Sequence, residues 1–302
     1  MTYSQFTREL EYSLKQISGI PDTIIFTQSV KNNSVVTQNV CIRDSNVTIA
    51  PSIGLDYFYG EYLKGRNIDD IAEKISEIYF SQPDFSHTQF NLTWENIKEY
   101  VVYHLVSYDS NQMLLEKTPH IRLLNLSLIF KIRTDYMGIN GYITINNSIM
   151  NLLDVDLKTL TETAVHNTPL QLPLSFNEMQ ETLKELPEYS ESECGLPDSI
   201  SLWICTNKEK LFGASCLFYD DLTKQLGETY LSDCYVIPSS VHEILLLKKC
   251  PDVTLSALEE MVVQVNNSDF VSETDFLSNS VYTYPEIKKA YDIALEDLNI
   301  MR

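Results

Sequence analysis

The run Cys234-Tyr-Val-Ile-Pro-Ser-Ser-Val-His-Glu-Ile-Leu-Leu-Leu247 constrains this chain most, because it sets two apolar stretches on either side of a short polar corner. Proline fixes its own φ and lacks an N–H, so a strand entering at Cys234 is expected to end at Pro238. Ser240 and Glu243 then stand at the Ser-x-x-Glu spacing of a capping box, which marks a helix start. A polar corner between buried runs is one place where folds hold chemistry. His242, Ser239, Ser240 and Glu243 therefore form the leading catalytic constellation, with the imidazole as base and a serine, or Cys234, as nucleophile. The same residues also make an ordinary turn, with Ser240 capping, Glu243 closing the box and His242 bonding a neighbouring loop. No glycine elbow flanks the serines, and Leu246 breaks any H-E-x-x-H zinc helix starting at His242. The turn-building role is the expected one.

At 302 residues the chain accommodates two domains, and 44% hydrophobic residues with 18 Tyr and 12 Phe suffice for a substantial interior. Its net charge of -20 repels phosphate backbones, so direct nucleic-acid binding is not expected. A basic protein partner, or mimicry of nucleic acid, remains compatible with such a surface. Cys41, Cys194, Cys205, Cys216, Cys234 and Cys250 form no C-x-x-C pair, and no signal-like or membrane-length apolar run is present. The expectation is a cytoplasmic protein with reduced thiols and no membrane association.

Along the chain, Phe6, Leu10, Leu14 and Ile17 mark one helical face, stopped at Gly19 and Pro21. Thr23–Val30 and Val35–Ile42 read as a hairpin around Lys31-Asn-Asn-Ser34. Residues 53–63 read as an aromatic helix or loop. Ile68–Phe80 is an amphipathic helix, and the loop from Pro83 to Asn91 holds His87. Trp94, Ile97, Val101 and Leu105 predict a helix over 93–106. Leu126–Ile132 and Tyr142–Ile145 predict strands, with helices over 148–153, 156–165 (capped by Asp156) and 177–186. Residues 187–198, acidic and holding two prolines and a glycine, read as a linker between domains 1–186 and 199–302. Beyond it, strands are expected at 201–206, 214–217 and 235–237. Helices are expected at 221–229, at 254–265 with a Ser256-to-Glu259 box, and from Thr283-Tyr-Pro-Glu286 toward the end.

The ordered blocks Pro119-His-Ile-Arg-Leu-Leu-Asn125, Ala164-Val-His-Asn-Thr-Pro169, Cys205-Thr-Asn207, Gly213-Ala214, Pro238-Ser-Ser-Val-His-Glu243 and Val265-Asn266 carry a resemblance. Over nearly its whole length the chain resembles a domain-of-unknown-function family of Firmicutes proteins. That resemblance implies no activity and no site residues.

A second set, His120 with Arg122 and His166 with Asn167, is a possible pocket if the fold brings the two pairs together. A metal site would draw on the same pool plus Asp154 and Asp156, at no ligand-set spacing, so none is expected; nor is any cofactor. The fold expected is α+β, a two-part chain with helices on small, mainly antiparallel sheets. The function expected is non-enzymatic binding or regulation through protein contacts. Alternatives are a hydrolase-like enzyme built on His242, and an acidic nucleic-acid mimic.

Overall fold

A computed structural model describes residues 2–43, 52–81, 92–135, 141–184, 200–251, 253–268 and 271–300. The expected linker, and the loop holding His87, lie largely outside these residues. The fold is α+β, with helices on three small antiparallel sheets.

The chain forms two compact units. The first comprises residues 1–31, 35–92 and 135–140. In it, α1 (Tyr3–Gln16) starts at a full capping box between Thr2 and Gln5 and buries Phe6, Leu10 and Leu14. The strands β1 (Thr23–Val30), β2 (Val36–Arg43) and β3 (Ser52–Gly54) form an antiparallel sheet. Next come α2 (Asp56–Leu63) and α3 (Ile68–Ser81). Ile71, Ala72 and Ile75 of α3 share one core with Phe6, Leu10, Val40 and Ile42. Of the aromatic run, Phe58 and Tyr62 are buried, and the Tyr62 hydroxyl donates to Glu9 at 2.7 Å.

The second unit comprises residues 32–34, 93–134 and 141–302. Its opening corrects the sequence reading, because the helix expected over 93–106 is only α4 (Trp94–Ile97), followed by one 3-10 turn. Val101–Ser107 is strand β4, and all seven of its residues are buried. Trp94, Ile97, Val101 and Leu105 fall at helical spacing only because every position in β4 is buried. A strand covered on both faces shows no alternation from which to recognise it.

After α5 (Gln112–Leu115), β5 (His120–Leu123) and β6 (Leu126–Arg133) follow. Strand β6 is central, pairing β4 on one edge and, on the other, β5 and then β7 (Tyr142–Thr144). Next come α6 (Asn147–Leu153) and α7 (Leu157–Gln171), the latter capped by Asp156 as expected. Thr168 of α7 accepts the Tyr103 N–H at 3.0 Å, fastening the helix to β4.

The second sheet of this unit has the order β12-β10-β11-β9-β8. Strand β8 (Leu174–Glu178) and the short α8 (Met179–Lys184) replace the single helix expected at 177–186. Strand β9 (Leu202–Asn207) pairs β8 along its length, so this sheet runs across the boundary expected at 187–198. The compact units divide near residue 92 instead. Between β9 and the next helix, Gly213–Phe218 is a wholly buried 3-10 stretch where a strand was expected at 214–217. Complete burial makes it apolar at every position, which imitates a central strand. The helix expected at 221–229 breaks at Gly227 into α9 (Asp220–Leu226) and α10 (Glu228–Ser232).

Strand β10 (Cys234–Ser240) and β11 (Glu243–Lys248) correct the remaining element, since the run after Glu243 is a strand and not a capped helix. Six residues are short for a helix, and β11 lies between β10 and β9, where a continuous apolar run suits a strand with both faces covered. Pro238 does not end β10. The register shifts between Ile237 and Ser240, so the proline falls in a bulge where its missing N–H costs no ladder bond. Helix α11 (Leu255–Asn266) is capped by Thr254, two residues before the expected Ser256. After β12 (Tyr282–Thr283), α12 (Tyr284–Asp297) opens at the Thr283–Glu286 box with proline in its first turn.

A direct test separates the two readings of 101–107. A helix with Val101 and Leu105 inward would leave Val102 toward solvent, whereas in β4 it is 1% exposed. Val102→Asp is expected to cost about 4 kcal/mol or more, enough to unfold the unit, measured by circular dichroism in urea.

Candidate functional site

The polar corner is a two-residue turn, Val241-His242, joining β10 to β11. Ser240 does cap, but it caps the turn: its Oγ accepts the His242 N–H at 3.1 Å, a short-range bond that favours a bend. Ser239 Oγ donates to Glu243 Oε1 at 3.4 Å. Neither serine meets the imidazole.

His242 reaches two other segments. The backbone N–H of Phe212 donates to Nδ1 at 3.2 Å, and Nε2 lies 3.4 Å from Asp275 Oδ1. A backbone amide can only donate, so Nδ1 is the acceptor and the ring proton sits on Nε2, facing the carboxylate. Both nitrogens are thereby engaged. The ring has no lone pair to offer a nucleophile, and its partners are those of a clamp. The seam beneath it is tight. Thr206 Oγ1 donates to the His242 carbonyl at 2.8 Å, and Ala214 N donates to the Val241 carbonyl. A Cβ on Gly213 would lie 2.2 Å from Thr206 Oγ1 and 2.4 Å from His242 O.

Phe212 has φ 56°, a left-handed backbone costing about 1 kcal/mol or more for a residue with a Cβ. Ring stacking helps to hold it there. Its ring lies 4.3 Å from His104 at 16° between planes, 5.8 Å from His242 at 23°, and edge-on to Tyr142 at 5.3 Å. Lys131 Nζ sits 4.8 Å from the centroid of the same ring. His104 is 3% exposed, and its Nδ1 has no partner among the described residues. Burial, then the nearby Lys131 and His242 charges, holds its pKa well below the usual imidazole range. Burial pulls Lys131 down to about 8, and among the described residues no carboxylate pairs with it. A part-buried amine with no carboxylate partner among the described residues is the least expected feature of the region in a chain of charge -20.

The expected pocket pairs do not come together. His120 and Arg122 share one face of β5 and approach Tyr108, with Arg122 Cζ 4.0 Å from that ring. The His120 ring meets the Thr118 carbonyl at 2.9 Å. Asn167, on α7, donates to the carbonyls of Lys98 and Val101, fixing the entry to β4. His166 is exposed and lines a concavity of about 530 Å³ with Tyr103, Tyr219, Glu162 and Asp220. A second concavity of about 230 Å³ lies between β9–β11 and α11, with Ser239 in its wall. Cys205, Cys216 and Cys234 are buried. Burial pushes the Cys216 thiol up to about 12 and that of Cys234 to about 11, so neither supplies a thiolate near neutral pH.

Sequence reasoning overlooked His104, Lys131, Phe212 and Asp275. His104 and Lys131 carry a readable signal, two cationic-type side chains inside apolar strands; Phe212 and Asp275 are joined to His242 only by folding.

Two substitutions test this description. The unfolded chain returns Lys131 to an ordinary amine value near 10.4, so between pH 8 and about 10 it holds a proton that the folded chain has released. Stability from this group therefore rises with pH through that window. Lys131→Met is expected to stabilise the protein at pH 7 by about 2 kcal/mol, with the gain vanishing by about pH 10. Gly213→Ala is expected to destabilise by about 3 kcal/mol or more, because backbone blocks the new methyl. Urea unfolding at each pH reads both.

Residues 3–286 match the model described as Family of unknown function (DUF5688). No curated protein and no solved structure matches.

Proposed function

As the chain belongs to that family of unknown function, its model covering residues 3–286, we propose on geometric grounds that it acts by binding and not by turnover, through contacts with another protein. The single observation that carries this reading is the engagement of both His242 ring nitrogens, one by a backbone amide and one by Asp275. General-base catalysis needs an imidazole lone pair within reach of the proton it removes. Here that lone pair is committed to holding Phe212. The raised thiols of Cys216 and Cys234 support the same reading from the side of the nucleophile.

The acidic charge favours a basic partner surface, to which association would be steered and weakened by salt. Among the described residues no helix is long and apolar enough to cross a membrane. Among the described residues the thiols of Cys205, Cys216, Cys234 and Cys250 are in no disulfide, which supports a cytoplasmic setting.

His242→Ala distinguishes clamp from catalyst. Loss of the ring's two bonds and its stacking is expected to cost about 2 kcal/mol, lowering Tm by several degrees in calorimetry. A hydrolytic activity in the parent protein, abolished by His242→Ala with Tm unchanged, would overturn the binding reading.

A further inference from the structure

The concavity between the five-stranded sheet and α11 has the chemistry of a ligand slot. Its walls are Leu202, Ile237, Leu245 and Leu247 from the sheet and Leu258 and Val262 from the helix. Among the described residues of its lining, Ser239 and Asn266 are the polar members and none is charged. Helix α11 closes it incompletely. Only Leu258 and Val262 of the helix are buried, whereas Met261 is 59% and Val265 45% exposed although both line the slot. Apolar walls of this kind release their water to an apolar occupant. At about 230 Å³ the slot holds a short aliphatic chain more readily than a drug-sized molecule.

The two polar groups restrict the head of that chain. Ser239 Oγ already donates to Glu243, which leaves its lone pairs to accept. Asn266 Nδ2 is committed to the Ser278 carbonyl and Asn279 Oδ1, which leaves the amide oxygen to accept. A hydroxyl head that donates therefore finds partners. A carboxylate finds no cation in the lining, lies near Glu243, and would be buried unpaired. We propose that this slot binds a short aliphatic chain bearing a hydrogen-bond-donating, non-anionic head, of the primary-alcohol type. The slot adjoins the polar corner through Ser239, makes no use of His242, and does not depend on the protein-contact reading.

The probes are 1-octanol and octanoate, titrated into the full chain labelled at its methionine methyls with carbon-13, with the Met261 signal assigned by Met261→Leu. A saturable shift of the Met261 methyl by 1-octanol is expected, with octanoate at least tenfold weaker. Ser239→Ala should weaken 1-octanol about fivefold through loss of one acceptor. Val262→Phe should fill the slot and abolish the shift, and its Tm reports whether it is folded. If it is not, Ser239→Ala decides. A linear, unsaturable response, equal shifts at all methionines, equal affinity for octanoate, or unchanged affinity in Ser239→Ala would each overturn the proposal.

Discussion

The second unit depends on one close approach, that of Gly213 to Thr206 and the His242 carbonyl. Three segments meet there: β9, the buried 3-10 stretch and, beyond α9 and α10, the β10–β11 turn. With no Cβ at 213, the 3-10 stretch enters the interior within hydrogen-bonding distance of β9 and of the β10–β11 turn. That entry positions Phe212 against His242 and His104. Phe212 in turn adopts a left-handed backbone, which is stable only because surrounding contacts leave it no alternative. Polar groups at the seam are satisfied mostly by backbone, as buried polar groups must be. The corner is thus an assembly joint, and its histidine is one of the fasteners.

Elements recognisable from sequence are those with a half-exposed face or a special turn. Helices α1 and α3 alternate buried and exposed sides at helical period, and the β1–β2 hairpin turns on Asn33 at φ 60°, a conformation asparagine tolerates. The misread elements are those buried all round. Strand β4 and the 213–218 stretch are apolar at consecutive positions, and periodicity is a signal of partial exposure that complete burial erases. The β10–β11 turn was misread for a different reason. Ser240 and Glu243 do have capping-box spacing, but a side chain that caps a helix also caps a tight turn, and only the pairing of β11 with β9 decides between them.

The site was legible in part. His242, Ser239, Ser240 and Glu243 do cluster at one corner, as adjacency in sequence requires. Their partners were not legible: Phe212 lies 30 residues away and Asp275 33 residues away, reached only through folding. His120, Arg122, His166 and Asn167 divide between β5 and α7: His120 meets the Thr118 carbonyl, Arg122 the Tyr108 ring, and Asn167 the carbonyls of Lys98 and Val101. Meanwhile His104 and Lys131, in strands that share one pairing, lie against the same ring. Their low proton affinity has one main origin, because removal from water penalises the charged form of each, and the Lys131 charge adds to the cost of charging His104.

The pairing of β8 with β9 brackets the acidic segment at 187–198 within one sheet. Strand β8 leads back through α7 to β4, while β9 continues into the seam at Gly213. A chain severed between these strands would yield two fragments that share a hydrogen-bonded ladder and a hydrophobic interior. They would co-migrate as one particle under native conditions and separate only in denaturant, so that continuity of the polypeptide there matters less than continuity of the sheet.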